Sequence, residues 1–105
     1  MQSIPPVEVE LTSPATCRQW VGNQCQIIDV RGEAEFAMAH YPGACNIPLD
    51  QLADWARQIT DKSTPRIFYC GKGIRAQMAI NLLREQGFTQ LANGGSLEQL
   101  KATLA

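Results

Sequence analysis

The stretch that decides the fold is R-I-F-Y-C-G-K-G-I-R-A-Q-M-A-I-N-L-L-R-E-Q, residues 66–86. Its beginning, I-F-Y (67–69), is β-branched and aromatic and predicts a buried strand. From Ile74 to about residue 86, apolar residues recur at helical spacing, which predicts a helix. Cys70 therefore lies at the end of a strand, just before a glycine-containing loop and a helix.

The loop after Cys70 is predicted to surround its sulfur with positive groups. Gly71 and Gly73 let the backbone turn with its N–H groups pointing inward, and the helix adds the positive end of its dipole. Lys72 and Arg75 contribute two cations. Most lone cysteines are ordinary core residues. This combination instead favours a reactive thiolate that accepts an anionic substrate.

The rest of the chain alternates between strand and helix patterns. Strands are predicted at residues 7–11, 26–30, 45–47 and 89–91, and helices at residues 15–21, 33–39, 50–58 and 97–104. This alternation is typical of a doubly wound α/β domain with a mainly parallel sheet of about five strands. The Asn-Gly-Gly segment at 93–95 predicts a turn before the last helix.

Charged residues follow the second predicted strand. Asp29 lies near its C-terminal end, the edge at which open parallel sheets carry their sites. We expect Asp29 to hydrogen-bond the neighbouring backbone or to help orient the catalytic loop, with a solvated strand-end carboxylate as the alternative. Arg31 and Glu35 are expected to pair with each other and fix this corner.

Four segments, in the right order, resemble the rhodanese family. C-G-K-G-I-R-A (70–76) resembles its active-site loop, whose usual form is C-x-x-G-x-R-[S/A]. The other three resemble the family's strand and turn, its G-H-I-P-G-A-x-N-I-P segment, and its late glycine pair with the following helix: I-I-D-V-R (27–31), H-Y-P-G-A-C-N-I-P (40–48) and L-A-N-G-G-S-L-E-Q-L (91–100).

The resemblance implies both a fold and a site. The expected fold is a single rhodanese-like domain over residues 1–105, with strand order 1-5-4-2-3 and helices on both faces of the sheet. That order places the strand of Asp29 beside that of Cys70. Cys70 matches the persulfide-forming cysteine, and the loop amides from Gly71 to Arg75, including Ile74, are expected to hold the persulfide. His40 is expected to belong to a structural turn.

Loop length separates two chemistries that use such a cysteine. The phosphatases that resemble this fold have five residues between cysteine and arginine, which suits a phosphoryl group. Four residues separate Cys70 from Arg75, and Tyr69 stands where those phosphatases usually have histidine. The shorter loop favours sulfur transfer over phosphate hydrolysis.

The expected reaction is transfer of sulfane sulfur through a Cys70 persulfide. Thiosulfate or a similar donor supplies the sulfur, Lys72 and Arg75 bind its charge, and sulfite leaves. Cyanide, or a thiol such as thioredoxin or glutathione, accepts the sulfur, and no cofactor is needed. The alternative is a persulfide carrier or sensor that serves one partner protein with little small-molecule turnover. An inactive interaction domain is a third reading.

Composition excludes several other classes of function. The net charge of −1 gives no reason to expect nucleic-acid binding, and no apolar run approaches the ~20 residues of a membrane span. The N-terminus lacks the basic start and apolar core of a signal peptide. Cys17, Cys25, Cys45 and Cys70 lack metal-ligand spacing, and His40 is the single histidine, so no metal is expected. We expect reduced thiols in a cytoplasmic protein.

Overall fold

The computed structural model describes residues 7–105. Residues 1–6 lie outside the described range, and they include part of the N-terminal stretch that was predicted not to be a signal peptide. The strands are β1 Gln26–Asp29, β2 Cys45–Asn46, β3 Arg66–Cys70 and β4 Leu91–Ser96. The helices are α1 Pro14–Val21, α2 Glu33–Met38, α3 Leu52–Arg57, α4 Ile74–Glu85 and α5 Leu97–Leu104, with a 3-10 turn at Leu49–Gln51.

The strands form one parallel sheet in the order β2-β1-β3-β4. This is the predicted order without its first strand, and the α/β fold class is confirmed. β1 lies beside β3, with Asp29 opposite Tyr69, as the predicted order requires. The carboxyl ends of these two strands therefore meet at one edge of the sheet, where Cys70 ends β3.

The predicted strand at residues 7–11 is wrong, because the N–H of Glu10 bonds a side chain of α4 and the backbone bond to the sheet lies just beyond the segment, at Thr12. Thr12 N donates to Asn93 O at 3.0 Å, and the Thr12 hydroxyl accepts from Asn93 N at 2.9 Å. The N–H of Glu10 donates to the side-chain oxygen of Gln77 at 3.0 Å. The segment therefore touches the sheet at Asn93 and runs over α4 instead of extending the sheet.

The end of the sheet also differs from the prediction. The strand predicted at 89–91 begins at Leu91 and continues through the predicted Asn-Gly-Gly turn to Ser96, with an irregular register between Phe68 and Cys70. A Cβ added at Gly94 would lie 3.0 Å from the Leu100 side chain. The glycine is therefore needed for close packing of α5 on β4. In the sequence, a glycine required for packing looks the same as a glycine required for a turn.

Side chains alternate between two cores, one on each face of the sheet. On one face, Phe68 and Cys70 pack with α3 and α4; on the other, Ile67 and Tyr69 pack with α1 and α5. The two largest apolar side chains in the first turns of α4 do not enter the core. Ile74 and Met78 remain 46% and 42% exposed, whereas the buried positions are Ala76, Gln77, Ala79, Ile80 and Leu83.

Residues 7–105 contain neither a helix suited to span a membrane nor a cluster of metal ligands. None of the helices in this range has the length and apolar character to cross a bilayer. The same range contains no group of three or more His, Cys, Asp or Glu side chains placed to hold a metal ion. The four cysteines are all free thiols.

Candidate active site

The sulfur of Cys70 lies in a cradle of backbone N–H groups. The N–H of Gly73 donates to Sγ at 3.0 Å, and that of Ala76, in the first turn of α4, donates at 3.4 Å. Cys70 is only 1% exposed. A negative charge on this sulfur, or on a sulfur attached to it, therefore meets oriented dipoles in a site that admits little water.

Gly73 makes this cradle possible. Its φ of +90° is in the left-handed region, and it caps the N-terminus of α4. A Cβ at this position would lie 3.3 Å from the Cα of Gly95 and 3.4 Å from a methyl group of Val9. Backbone conformation and close packing therefore both require glycine here.

A pocket of about 360 Å³ opens above the sulfur. It is lined by Cys70, Gly71, Lys72, Ile74 and Arg75. The structure thus brings the predicted loop residues together, with Gly73 beneath the pocket as a donor to the sulfur. Lys72 is exposed and forms no ion pair with any residue in the range 7–105. Its charge is available to an anion entering the pocket.

The loop arginine is held by a carboxylate from a different part of the chain. Arg75 Nη1 lies 2.8 Å from Glu35 Oε1, and Nη2 lies 3.0 Å from Oε2. This bidentate pair raises the pKa of Arg75 and lowers that of Glu35 to about 2. Nη2 also lies over Gly71, 3.2 Å from where a Cβ would be. The guanidinium is therefore fixed at the pocket wall.

The predicted pair between Arg31 and Glu35 does not form. Arg31 instead binds Asp29, with Nη2 2.7 Å from Oδ2, and donates from the same nitrogen to Ala39 O at 2.6 Å. Asp29 also accepts from the backbone N–H of Arg31 at 2.9 Å. The short reach between positions 29 and 31 favours this pair, and it leaves Glu35 free to bind Arg75.

Tyr69, the residue before Cys70 in β3, lies against Arg31 and the 40–48 segment. Its ring lies 5.6 Å from the guanidinium carbon of Arg31, and its hydroxyl accepts from the N–H of Tyr41 at 2.9 Å. Burial is the main reason that the pKa of Tyr69 is raised, to about 12. Tyr69 is therefore a neutral phenol that ties the 40–48 segment to β3.

The remaining cysteines and the histidine have other environments. His40 Nδ1 lies 2.8 Å from Phe36 O, and its ring stacks on that of Phe36. Cys17 is buried in the core on the opposite face of the sheet from Cys70, and burial raises the pKa of its thiol. Cys25 and Cys45 line a different pocket, of about 320 Å³.

Sequence reasoning missed that Glu35 is the partner of Arg75. A signal was present: α2 follows β1 and α4 follows β3, and these strands are neighbours in the predicted order. The first turns of α2 and α4 therefore lie near each other. An acidic residue in the first turn of α2 is attracted to a basic residue in the first turn of α4. It also missed two buried amides: that of Asn93, which donates to the Gly73 carbonyl of the loop, and that of Gln77, which accepts from Asn93.

Comparison with known proteins agrees with this geometry. A family model described as a rhodanese-like domain matches residues 13–101, and the chain belongs to this family. The uncharacterized protein YqhL of Bacillus subtilis is 42% identical over 71 residues, which cover 67% of this chain and 55% of YqhL. The match thus spans about half of that relative's length.

A second relative and a solved structure are similar over more of their own length. The thiosulfate sulfurtransferase PspE of Escherichia coli is 34% identical over 74 residues, covering 70% of this chain and 71% of PspE. A structure described as a rhodanese with anions from E. coli has a TM-score of 0.67 and 32% identity, covering 72% of this chain and 91% of that one. The resemblance and fold class predicted from the sequence are confirmed, and the relatives include a sulfurtransferase.

Proposed function

We propose that this protein is a sulfurtransferase that carries sulfane sulfur on Cys70 as a persulfide. The observation that supports this most strongly is the pair of N–H groups, from Gly73 and Ala76, that donate to the Cys70 sulfur. A persulfide anion extends one atom further into the pocket and needs such donors near its charge. Membership in a family whose relatives include PspE supports the same chemistry.

The reaction has two displacement steps. The Cys70 thiolate attacks the outer sulfur of thiosulfate, a new S–S bond forms at Sγ, and the donor's S–S bond breaks with its electron pair leaving on sulfite. An acceptor nucleophile then attacks the outer sulfur of the persulfide. The S–S bond of the persulfide breaks with its electron pair on Sγ, which regenerates the thiolate. Cyanide yields thiocyanate, and a thiolate of glutathione or thioredoxin yields its own persulfide.

Charge at the pocket mouth suits a dianionic donor. Lys72, which lines the pocket, is exposed and has no ion-pair partner in residues 7–105, and Arg75 adds a second cation that is paired with Glu35. Lys72 is therefore the stronger attraction for thiosulfate, and Arg75 shapes the pocket wall beside it. The departing sulfite leaves past the same two groups. The steps need no resident cofactor, and the four free thiols are in keeping with a cytoplasmic location.

The alternative is a persulfide carrier that passes sulfur to one partner protein with little turnover of small donors. Two exposed apolar side chains at the start of α4, Ile74 and Met78, favour this reading, because Ile74 also lines the pocket of Cys70. An apolar rim beside a buried nucleophile suits contact with a protein surface. Under this alternative, Cys70 still forms the persulfide, and only the acceptor differs.

The test is thiocyanate production from thiosulfate and cyanide by the parent protein, Cys70→Ser and Cys45→Ser. Cys45 is an exposed thiol lining a separate pocket, which makes it a matched control. We expect turnover in the parent and in Cys45→Ser and none in Cys70→Ser. Persulfide formation without turnover would favour the carrier. Equal turnover in all three proteins would contradict both the sulfurtransferase and the carrier. Rapid hydrolysis of an aryl phosphate would instead indicate a phosphatase.

A further inference from the structure

Two buried amide side chains hold the sulfur cradle from beneath. Asn93, in β4, is 1% exposed, and Gln77, in α4, is 4% exposed. Burying an amide is unfavourable unless its polar atoms are hydrogen-bonded, and an apolar side chain would fill either position at lower cost. Their presence between α4 and β4, directly below the active-site loop, therefore needs a reason beyond packing.

The contacts of Asn93 converge on Gly73. Its Nδ2 donates to Gly73 O at 3.1 Å and to Gln77 Oε1 at 3.1 Å. Its Oδ1 accepts from Gly95 N at 2.9 Å. The orientation of the amide is determined by these partners, because the carbonyl of Gly73 can only accept and the N–H of Gly95 can only donate.

Gln77 completes the network. Its Oε1 accepts from Asn93 Nδ2 and from the N–H of Glu10, and its Nε2 donates to Asn81 Oδ1 at 3.1 Å. Its own backbone N–H donates to Gly73 O at 3.0 Å. The Gly73 carbonyl thus receives one hydrogen bond from the helix and one from Asn93.

The two peptide groups that flank the Cα of Gly73 make different contacts. The N–H on one side donates to the Cys70 sulfur, and the carbonyl on the other side is held by Asn93. In its left-handed conformation, Gly73 has no side chain to restrict rotation. A carbonyl held from outside the loop therefore removes backbone rotations at Gly73 that would turn its N–H away from the sulfur.

We infer that Asn93, supported by Gln77, is a positioning residue for the Cys70 persulfide. It acts through Gly73: the amide network keeps the loop in the conformation in which the N–H groups of Gly73 and Ala76 point at the sulfur. This inference rests on the proposed function for its consequence, which is a stabilised persulfide, while its structural part concerns the loop alone.

The test compares Asn93→Leu, similar in size but without amide atoms, with the matched control Asn81→Ala, which removes only the outermost bond of the network. Amide hydrogen exchange by NMR reports on the loop without any sulfur donor. In Asn93→Leu, we expect exchange of the Gly73 amide to accelerate by about tenfold relative to that of Ile80, in the middle of α4, as loss of the hydrogen bond to the Gly73 carbonyl allows. The control should match the parent.

Turnover gives the second readout. In Asn93→Leu, we expect kcat for thiocyanate formation to fall by about tenfold while the KM for thiosulfate changes by less than about twofold, because the donor's charge meets Lys72 and not the amide network. If Asn93→Leu does not fold, Gln77→Met removes the Oε1 acceptor at nearly constant size, and a smaller change in the same direction is expected.

A purely structural network would give a different pattern. Gly73 and Ile80 amides would then exchange faster by the same factor, and the folded variant would turn over at the parental rate; either result overturns the inference. A parent protein without turnover or persulfide would instead overturn the proposed function. The exchange measurement keeps the two failures apart, because it needs no sulfur chemistry.

Discussion

Arg75 and Glu35 form a bidentate ion pair across two helices, with N–O distances of 2.8 and 3.0 Å. Arg75 lies in the first turn of α4 beside the nucleophile, and Glu35 lies in the first turn of α2. The pair fixes the guanidinium at the pocket wall and neutralises part of its charge. The two cations of the loop are therefore not equivalent, because Lys72 has no such partner in the described part of the chain.

Removing the charge of Lys72 should weaken binding of thiosulfate. For Lys72→Ala, we expect the KM for thiosulfate to rise about fivefold with a smaller change in kcat, as loss of one exposed charge near an anion allows. Arg75→Ala should also raise KM, because it removes a charge from the pocket wall and leaves the Glu35 carboxylate there without its partner. Steady-state kinetics at low salt measures both effects.

The control for this prediction is Lys101→Ala, a lysine on α5 that faces Glu98 at 3.9 Å. It removes the same charge from the molecule without touching the pocket, and its KM should equal that of the parent. An unchanged KM in both Lys72→Ala and Arg75→Ala would refute the assignment of these residues to donor binding.

The ion pair should also contribute a pH-dependent term to stability. The pKa of Glu35 is about 2, below its ordinary value of 4.5, so its contribution is present above pH 4.5 and is lost as pH falls through 2. Glu35→Gln should lower the free energy of unfolding at pH 7 by less than about 1 kcal/mol, because the pair is half-exposed.

Thermal unfolding of the parent and Glu35→Gln at a series of pH values measures this term. The difference between the two proteins should be constant above pH 4.5 and shrink towards zero as pH approaches 2. A difference that persists undiminished at the acid end would mean that Glu35 stabilises the fold without its charge.

Breaking the buried pair at the end of β1 should cost far more. The Asp29 side chain is 0% exposed and that of Arg31 is 10% exposed, so Asp29→Asn leaves a buried guanidinium without its counter-ion. We expect the free energy of unfolding to fall by about 3 kcal/mol. Urea denaturation followed by tryptophan fluorescence measures it.

Asp54→Asn is the matched control. Asp54 pairs with Arg57, but the two side chains are 74% and 69% exposed, and we expect a loss below about 1 kcal/mol. Equal losses in the two variants would show that burial of the Asp29–Arg31 pair is energetically unimportant.

Substitution of the loop glycine should uncouple stability from activity. Gly73→Ala meets both a left-handed φ and close contacts, whereas Gly43→Ala meets φ +84° with nothing within 4 Å. Both should lose about 1 kcal/mol or more of stability from backbone strain. Only Gly73→Ala should also lose turnover, by about tenfold or more, since it displaces an N–H donor of the sulfur. Parental turnover in Gly73→Ala would contradict the role of the cradle.

Much of the fold could be predicted from local patterns. The strand ending at Cys70 and the helix beginning at Ile74 follow from periodicity and glycines. The position of the Asp29 strand beside that of Cys70 was implied by the resemblance to the rhodanese family. The extra strand at 7–11 was predicted because V-E-V-E-L alternates correctly, but alternation cannot show whether a ladder partner is available. Here Gln77 and Thr12 supply side-chain partners instead.

The site was predictable in its residues but less so in its pairings. The loop from Cys70 to Arg75 is contiguous, so its members were bound to lie together. The partner of Arg75 lies 40 positions away, and choosing Glu35 over other carboxylates needs the positions of two helices in space. Asn93 belongs to the predicted turn at 93–95 and Gln77 to the predicted helix, and neither local pattern shows that tertiary packing buries both side chains.

The most direct test of the account is intact-protein and peptide mass spectrometry after brief exposure to thiosulfate, with Cys70→Ser and Cys45→Ser beside the parent. We predict that the parent and Cys45→Ser gain the mass of one sulfur atom, located on Cys70 and removed by cyanide with release of thiocyanate. Cys70→Ser should gain none. Addition of sulfur to Cys17, Cys25 or Cys45 with Cys70 unmodified would contradict the assignment of Cys70 as the sulfur-carrying nucleophile.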